Sequence, residues 1–481
     1  MAAAEELTSP AAAGKNLSVS QPTATRRLGR FVVDLALDDV PADVVTAASR
    51  LTLDTLGNAL AASREDFGRA VLGVAERLGG GAESALLGSP ARVAAANAVL
   101  ANATLAHGLD FDDTREDAIV HTGCVAVTTA LAVGEAVGAG GRAVLEAAVA
   151  AVEVMCRVGL AVPGALHARH FHPTSITASF AAAAAAARLY KLSEDQLVHA
   201  FGICGSQAAG IIEYLADGSW TKRLHPGWGA HAGVVAALLA RGGFTGPTTV
   251  LEGEHGLYAA FGGGHDAGRL DALLDSLGTT WELQALTLKP YPCGSIAQPY
   301  MDCAMRLREH VRRGDITAIR CRTAAGPVPR LWEPLVGKHA PPNGYAAKFS
   351  LPYLLATILV RGRAGLAEFT DEAVRDAEVL GLARRVTYEL DASIDYPRQF
   401  VGDVELTLAD GRVLRERQDR PRGGPDAPLT PAEVEAKFRG NAGLVLPPVQ
   451  ADAAVRAVAG LATGASLAEL LASLTPPRKG S

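Results

Sequence analysis

Residues 178–189 read ASFAAAAAAARL, a run built almost entirely of alanine. Alanine has the highest helix propensity and a small side chain, so this run predicts a helix that packs closely against its neighbours. The run is about half as long as the roughly 20 apolar residues that a membrane-spanning helix needs. It therefore predicts a buried helix and no passage through a membrane.

The whole chain has a composition that suits such helices. Of its 481 residues 49% are hydrophobic, only 5% are aromatic and 51 are glycine. A chain of this length and apolar content can form one large or two to three ordinary domains, which excludes intrinsic disorder as its main state. Because alanine and glycine supply much of the apolar content, the predicted fold class is mainly α rather than a β-sandwich.

Charge and cysteine content exclude several classes of partner and site. The chain has 45 basic and 51 acidic residues mixed along its length, and its formal net charge is −6. This balance gives no basic surface for a nucleic acid. The six cysteines are far apart and form no CxxC pair, which disfavours a zinc ribbon or a small disulfide scaffold. We expect a cytoplasmic protein that binds neither nucleic acid nor membranes.

The pattern of apolar residues divides the chain into four parts. Residues 1–27 lack the basic and apolar regions of a signal peptide and are interpreted as a flexible tail. Residues 28–285 show the three-to-four spacing of helices with one buried face and contain no convincing strand.

Residues 286–428 alternate short β-type segments with helix-like stretches, which predicts an α+β domain. Asp410 and Gly411 mark a hairpin turn between two of these segments. Residues 429–481 return to helices, the first of which starts with a capping box at Thr430, and they are expected to rejoin the first domain.

The first of four polar clusters lies between His107 and His121. Asp110, Asp112 and Asp113 place three carboxylates within four residues, where they repel one another unless they cap a helix, bind a cation or take up protons. A solvated loop that caps the helix beginning near Thr122 is the alternative interpretation of this segment.

The second cluster contains His167, His170 and His172, immediately before the alanine-rich helix. Histidine is the side chain whose proton can move near neutral pH. The pattern HxxHxH within one loop, with no matched cysteine or carboxylate spacing, is a weak metal motif. We therefore favour a general acid or base over a metal ligand.

The third and fourth clusters supply cations. Lys222 and Arg223 are adjacent, and such a pair favours binding of a small carboxylate and of an enediolate that forms beside it. An ordinary surface pair is the commoner outcome for such a dipeptide. Lys289 lies where the sequence pattern changes between domains, and interdomain seams are favoured places for small-molecule sites. No glycine-rich phosphate motif is present, so no nucleotide site is predicted.

Five motifs follow one another along the chain: HGLDFDDT (107–114), RHFHPTS (169–175), TKRLHPG (221–227), LKPYPCG (288–294) and AKFSLPY (347–353). In this order they resemble the MmgE/PrpD family, which includes 2-methylcitrate dehydratase, cis-aconitate decarboxylase and iminodisuccinate epimerase. The similarity runs from about Arg27 to about Leu474. It implies a large all-helical domain completed by the C-terminus, a smaller α+β lid, a site between them and a homodimer. It also implies that no metal or organic cofactor is needed.

The resemblance also implies the roles of individual residues. Lys222 and Lys289, with Arg223, would stabilise a dianionic enediolate, and His121 and His172 would act as general base and general acid in either order. Asp110 would orient or charge a histidine, Thr114 would bind substrate, and Tyr353 would donate a hydrogen bond or a proton from the lid. The implied pocket contains Asp110, Thr114, His121, His172, Lys222, Lys289 and Tyr353.

The implied activity is that of a lyase acting next to a carboxylate of a small di- or tricarboxylic acid. Dehydration of a 2-methylcitrate-like acid is expected first, with epimerisation or decarboxylation as alternatives. Family members commonly carry a histidine just after the lysine motif, whereas Gly294 and Gln298 stand there in this chain, which leaves the reaction open. A catalytically inactive, carboxylate-binding dimer is a weaker alternative.

A different class of enzyme is suggested by one acidic pattern. Asp112, Asp113 and Glu116 imitate the DDxxE magnesium motif of all-α terpene synthases. No second magnesium motif is evident, and the low aromatic content poorly suits a carbocation pocket. Dependence of activity on magnesium would favour this alternative.

Overall fold

The computed structural model describes residues 22–396 and 399–477. Of the predicted tail, residues 1–21 lie outside the described part, and the first helix begins at Ala24. Most described residues are helical and two small sheets accompany them, so the predicted mainly α fold class is confirmed. No helix among the described residues combines the length and the apolar character needed to cross a membrane.

Two separate hydrophobic cores organise the structure. The first is formed by side chains between Leu28 and Leu286 and between Leu429 and Leu474, and we call this part the helical domain. The second is formed by side chains between Tyr291 and Leu408, and we call this part the sheet domain. The chain therefore leaves the helical domain once, builds the sheet domain and returns.

The helical domain is a stack of buried helices whose sequences are rich in alanine and glycine. The helices before the sheet domain are α1 (Ala24–Asp34), α2 (Ala42–Ala62), α3 (Asp66–Leu78), α4 (Ala95–His107), α5 (Gly123–Ala136), α6 (Gly141–Leu160), α7 (Ala165–Ala168), α8 (Pro173–Tyr190), α9 (Glu194–Gln207), α10 (Tyr214–Asp217), α11 (Thr221–Arg241) and α12 (Ala267–Asp275). The sequence predicted no strand in this part, but β1 (Ser84–Ala85) and β2 (Arg92–Val93) form a short antiparallel pair.

The alanine-rich run forms most of α8 and is buried except for Arg188. Helix α11 packs against α8 at positions where it carries glycine instead of a larger residue. A Cβ built on Gly229 would overlap Ala178, and one built on Gly233 would overlap the carbonyl oxygen of Ser179. Because residue numbers increase together along both helices, their N-terminal ends lie side by side. This packing places the start of α11 next to His172, the residue that precedes α8.

We expect Gly233→Ala to lower the stability of the protein by about 1–3 kcal/mol, because the methyl group overpacks the α8–α11 contact. Gly73→Ala is the matched control, since a Cβ at Gly73 in α3 meets no atom within 4 Å. Because alanine loses less conformational entropy than glycine when a helix forms, we expect this control to raise the stability of the protein by about 0.5–1 kcal/mol. The midpoint of urea unfolding measures both. Equal shifts in the same direction would contradict the close packing described here.

The sheet domain combines short helices with one four-stranded sheet. The elements are α13 (Gln298–Arg308), β3 (Ile316–Thr323), α14 (Val328–Leu331), α15 (Leu335–His339), α16 (Gly344–Ala347), α17 (Leu351–Arg361), α18 (Ala377–Ala383), β4 (Val386–Leu390), β5 (Gly402–Leu408) and β6 (Val413–Gln418). The strand order of the sheet is β4-β3-β5-β6, with β3 and β4 parallel and the other pairs antiparallel. The predicted turn at Asp410 and Gly411 joins β5 to β6, and Gly411 has a φ of 85°, which favours glycine.

The C-terminal helices return to the helical domain. They are α19 (Pro431–Ala442), α20 (Pro448–Gly460) and α21 (Leu467–Leu474), and the predicted capping box at Thr430 starts the first of them. Phe438 is fully buried and lies against Gly57 of α2. Asn441 donates a hydrogen bond to the amide oxygen of Asn58 at 3.0 Å. These contacts bind the end of the chain to one of its first helices.

Candidate active site

A short segment at the junction of the two domains, residues 109–111, gathers lysines from distant parts of the chain. The ammonium nitrogens of Lys348, Lys289 and Lys437 donate to its three successive carbonyl oxygens, at 2.5, 3.1 and 2.7 Å. Asp110 has a φ of 56°, an uncommon conformation for a residue other than glycine. We call residues 109–111 and these three lysines the lysine hub. Through these hydrogen bonds, one turn of backbone connects the sheet domain and the C-terminal helices to the helical domain.

The side chain of Asp110 holds a further cation. It forms an ion pair with Lys222, at the start of α11. Burial raises the pKa of Asp110, but Lys222 and Lys289 outweigh burial and hold that pKa well below its usual range. Asp110 is therefore ionised. The side chain of Asp110 thus contacts a lysine, and its expected role of orienting or charging a histidine stays a prediction.

Four histidines lie next to the hub and form what we call the histidine cluster. The ring of His107 lies 4.8 Å from that of His121 and 5.6 Å from that of His172, between centroids. His172 in turn lies 5.2 Å from His225 of α11. All four side chains are at least nine-tenths buried. The structure thus brings the two predicted histidines together and adds two.

Asp112 is a carboxylate that lies against two rings of the histidine cluster. Its Oδ2 lies 2.7 Å from Nδ1 of His107, and its Oδ1 lies 3.5 Å from Nδ1 of His121. Burial raises the pKa of Asp112, but His107 and His121 outweigh burial and lower it. Because this buried carboxylate accepts a hydrogen bond from Nδ1 of His107, it fixes the orientation of the ring. Nε2 of the same ring is buried and has no hydrogen-bond partner.

The orientation of His121 follows from its hydrogen bond. Its Nδ1 lies 2.7 Å from the carbonyl oxygen of Asp113, which can only accept, so Nδ1 carries the proton and Nε2 carries the lone pair. Burial lowers the pKa of His121 to about 3. The hydroxyl of Thr114, a predicted substrate-binding group, lies 3.3 Å from the same nitrogen. His121 is therefore a neutral imidazole whose Nε2 can accept a proton.

His172 and His225 form a second pair. Their Nδ1 atoms are 3.0 Å apart, so one ring donates and the other accepts. Burial, and after it His107 and Lys222, hold the pKa of His172 well below its usual range, and burial lowers that of His225 to about 4. Both rings are neutral near pH 7, and His225 orients His172.

We expect nitrogen NMR of histidine-labelled protein to show His121 with its proton on Nδ1 throughout pH 5 to 8. The reason is that its pKa of about 3 lies below this range and the Asp113 carbonyl requires a donor. A His121→Gln variant identifies the signal. Protonation of this ring between pH 5 and 8 would contradict the burial and hydrogen bonding described.

Arg223 lies in the same region and is held by aromatic rings. Its guanidinium carbon lies 4.4 Å from the ring centre of Phe67 and 4.7 Å from that of Tyr345 in the sheet domain. Burial and the Asp110 carboxylate raise the pKa of Tyr345, so this phenol keeps its proton. Arg223 is thus not the ordinary surface cation of the alternative interpretation.

The structure does not bring the predicted Tyr353 to this site. Its hydroxyl donates to the carbonyl oxygen of Glu368 at 2.8 Å inside the core of the sheet domain. Tyr345, eight residues earlier, lies beside Arg223 and Asp110 instead. Only the turn between α16 and α17 decides which of the two tyrosines faces the junction.

Gly294 and Gln298, which stand where a histidine was expected, are packed against neighbouring residues of the sheet domain. Gln298 is fully buried, and its amide donates to the carbonyl oxygens of Tyr291 and Cys293 at 3.0 and 3.1 Å. A Cβ at Gly294 would have Phe349 as its neighbour. Gln298 therefore stabilises the loop that follows Lys289.

The acidic pattern that imitates a magnesium motif does not converge on one point. Asp113 accepts from the backbone of Thr122 and Gly123 at 2.9 and 2.8 Å, as the helix-capping interpretation predicts. Asp112 faces the histidines, and Glu116 accepts from the hydroxyl of Thr287 at 3.2 Å. Burial and Asp112 raise the pKa of Asp113 to about 6.

One group in the described part of the chain has the types of side chain that bind metals. Ligand atoms of His107, Asp112 and Cys124 lie within 4.8 Å of one another. Burial, Asp112 and Asp113 raise the pKa of the Cys124 thiol well above its usual value, which disfavours the thiolate that metals bind. The donor chemistry therefore favours a proton-transfer pair of His107 and Asp112 here.

Sequence reasoning missed several residues of this site. Most of them lie inside the five motifs, so a signal was present, but the motif did not show which side chains face the junction. Tyr345 lies two residues before its motif. The missed residues are His107, Asp112, His225, Tyr345 and Lys348.

Comparison with known proteins gives matches over most of the chain. Residues 26–270 match the model of the MmgE/PrpD N-terminal domain, and residues 291–462 match that of the MmgE/PrpD C-terminal domain. The cis-aconitate decarboxylase of Aspergillus terreus is 24% identical over 443 residues, which cover 88% of this chain and 89% of that protein. The cis-aconitate decarboxylase of Mus musculus is 26% identical over 440 residues, covering 88% and 87%. A mitochondrial 2-methylcitrate dehydratase of Yarrowia lipolytica is 28% identical over 156 residues, covering 28% and 29%.

Proposed function

The chain belongs to the MmgE/PrpD family, and we propose that it is a cofactor-independent lyase acting next to a carboxylate of a small di- or tricarboxylic acid. One observation carries this proposal: buried cations and neutral imidazoles meet at one interdomain junction. Lys222 and Lys289 lie at Asp110, and the histidine cluster begins beside them. We propose that the sheet domain is the lid of this site.

The chemistry needs both kinds of group. Breaking a bond to the carbon next to a carboxylate leaves an electron pair that spreads onto the carboxylate oxygens, and nearby ammonium groups stabilise that charge. A neutral imidazole is the form of histidine that can remove a proton. A bound polyanion raises the pKa of the same imidazole and lets it return the proton. His121 and His172 are the imidazoles that we assign to this work.

Among the family's reactions, we place loss of carbon dioxide from a cis-aconitate-like acid first. In that step a carbon–carboxylate bond breaks, carbon dioxide leaves, and the electron pair that remains takes up a proton. We assign the donation of that proton to His121 or His172, which becomes protonated when the bound polyanion raises its pKa. The support is that cis-aconitate decarboxylases match this chain over nearly nine-tenths of its length. Dehydration of a 2-methylcitrate-like acid, which the sequence favoured first, becomes the second candidate because that relative matches over 28% of the chain.

Proton NMR in deuterated buffer containing a chelator tests these alternatives together. The purified protein is incubated separately with cis-aconitate, 2-methylcitrate, citrate and a chiral substituted succinate. We expect loss of cis-aconitate signals and a deuterated alkene dicarboxylic acid as product. A new alkene from 2-methylcitrate would show dehydration instead, and exchange of a proton without net loss would show epimerisation. Binding without any reaction would show a catalytically inactive protein.

With the acid that reacts, we expect Lys222→Ala to lower kcat by about 10²–10³-fold, the usual effect of removing a group that stabilises transition-state charge. Arg77→Ala, which removes an exposed cation of α3, is the matched control and should leave kcat unchanged. Steady-state rates of carbon dioxide or alkene formation measure both. Equal activity of the two variants would contradict the assignment of Lys222.

We propose that the protein is a homodimer and that α11 forms part of its interface. Trp220, Leu224 and Trp228 follow one another at intervals of four residues on one helical face and are 50%, 40% and 49% exposed. Large exposed apolar patches on a folded protein commonly mark interfaces. All six cysteines are buried and free, which supports a reducing compartment such as the cytoplasm.

We expect Trp228→Glu to convert the dimer to a monomer, because a charge would have to be buried in the interface. Leu390→Glu is the control, since Leu390 is an exposed apolar residue of the sheet domain. Sedimentation velocity measures the mass of each variant. A wild-type monomer, or a Trp228→Glu dimer, would contradict this interface.

A further inference from the structure

Lys348 is a buried cation at the junction of the two domains. It follows α16 in the sheet domain, its side chain is only 5% exposed, and its Nζ donates to the carbonyl oxygen of Leu109 at 2.5 Å. An ammonium group that leaves water loses solvation, and a carbonyl dipole alone compensates poorly for that loss. Buried lysines are accordingly rare unless they are paired with an opposite charge.

The other lysines around the same segment have such partners. Lys222 pairs with Asp110, and Lys289 lies 3.9 Å from Oδ1 of Asp112. Lys437 lies 2.6 Å from Oδ1 of Asp54. For Lys348, in contrast, no ion pair with any carboxylate of residues 22–396 and 399–477 is formed within 4 Å. The Asp110 and Glu65 carboxylates attract the charge of Lys348 only from beyond that distance.

The surroundings of Lys348 place it in the proposed site. The charged and titratable groups that act on it are Asp110 after α4, Arg223 of α11, Glu65 before α3, and Cys293 in the loop after Lys289. Burial lowers the pKa of Lys348 to about 8, and Arg223 lowers it further, while the Asp110 and Glu65 carboxylates oppose that shift. Asp110 also pairs with Lys222, so three cations, Lys348, Arg223 and Lys222, share two carboxylates on this side of the junction, which favours an additional anion.

We propose that Lys348 is a substrate-binding residue that contacts a third carboxylate and thereby selects tricarboxylic over dicarboxylic acids. This inference rests on the proposed function, because it concerns the substrate of that same site. Lys222 and Lys289 bind two carboxylates of the substrate, the one next to the reacting carbon and the carboxylate nearest to it. Lys348 then approaches from the sheet domain, exchanging its bond to the Leu109 carbonyl for a carboxylate.

A purely structural role for Lys348 makes different predictions. A residue that only holds the two domains together would change the affinity for every acid by the same factor. A carboxylate contact changes the affinity only for acids that carry the third carboxylate. It also couples binding to protonation of Lys348, since an adjacent anion raises the pKa of this ammonium from about 8.

Titration calorimetry with two unreactive probes separates these roles. Propane-1,2,3-tricarboxylate and pentanedioate share the same carbon chain, and only the first carries a central carboxylate. We expect the wild-type protein to bind the tricarboxylate about 10- to 100-fold more tightly, the usual contribution of one charged hydrogen bond. Lys348→Met should lose this preference and keep its affinity for pentanedioate. Lys338→Met, which removes a lysine of α15 that also binds backbone carbonyls, should keep the preference.

The same titrations at pH 8.5, in buffers of different ionisation enthalpy, report the proton. Wild-type protein should take up a proton when the tricarboxylate binds, because part of Lys348 is deprotonated in the empty site. Lys348→Arg should keep the preference without this uptake, because a guanidinium stays protonated. Lys348→Met should show neither, and its melting temperature should not fall, because the variant buries no unpaired charge.

Three results would overturn the inference. They are that Lys348→Met lowers the affinity for both acids equally, that it keeps the wild-type preference for the tricarboxylate, and that it shows the same proton uptake as wild type. If wild-type protein binds the acids and turns one of them over while any of these results is found, only the role of Lys348 fails. If wild-type protein binds neither acid, the proposed function fails with it.

Discussion

The carbonyl oxygens of residues 109–111 accept hydrogen bonds from lysines that come from three separate stretches of the chain. Each ammonium would be costly to bury alone, and each finds an acceptor in one short piece of backbone. Asp110 adopts a left-handed conformation in this segment and binds Lys222 as well. The junction of the two domains and the positive charge of the site are therefore products of the same contacts.

A second constraint places the histidines next to this charge. The glycines of α11 allow it to lie directly on the alanines of α8, with the two N-termini side by side. The Nδ1 atoms of His172 and His225 consequently lie 3.0 Å apart. Burial at this position destabilises the charged imidazolium form of His172. Carboxylates or carbonyl oxygens surround the lysine ammonium groups. A site with lysines and neutral histidines follows from these surroundings, and it suits the removal of a proton or of carbon dioxide beside a carboxylate.

The sequence allowed most of the fold and part of the site to be predicted. Alanine and glycine content predicted close-packed helices, and the turn at Asp410 and Gly411 was found where the pattern placed it. Motifs identified the polar segments, but a motif does not state the direction of each side chain. Asp110 and Asp112 are two residues apart, and only the folded backbone shows that the second one faces the histidines. Tyr345 and Tyr353 differ in the same way, since the intervening turn decides which ring reaches Arg223.

A structure of the protein with propane-1,2,3-tricarboxylate bound shows directly whether the junction is the active site. We expect one molecule at the junction of the two domains, with carboxylates on Lys222 and Lys289 and with His121 or His172 beside the carbon chain. The carbonyl oxygen of Asp110 should still accept a hydrogen bond from Lys289. A molecule bound elsewhere, or a junction that stays closed to the acid at saturating concentration, would contradict the claim that buried lysines and neutral histidines form the active site.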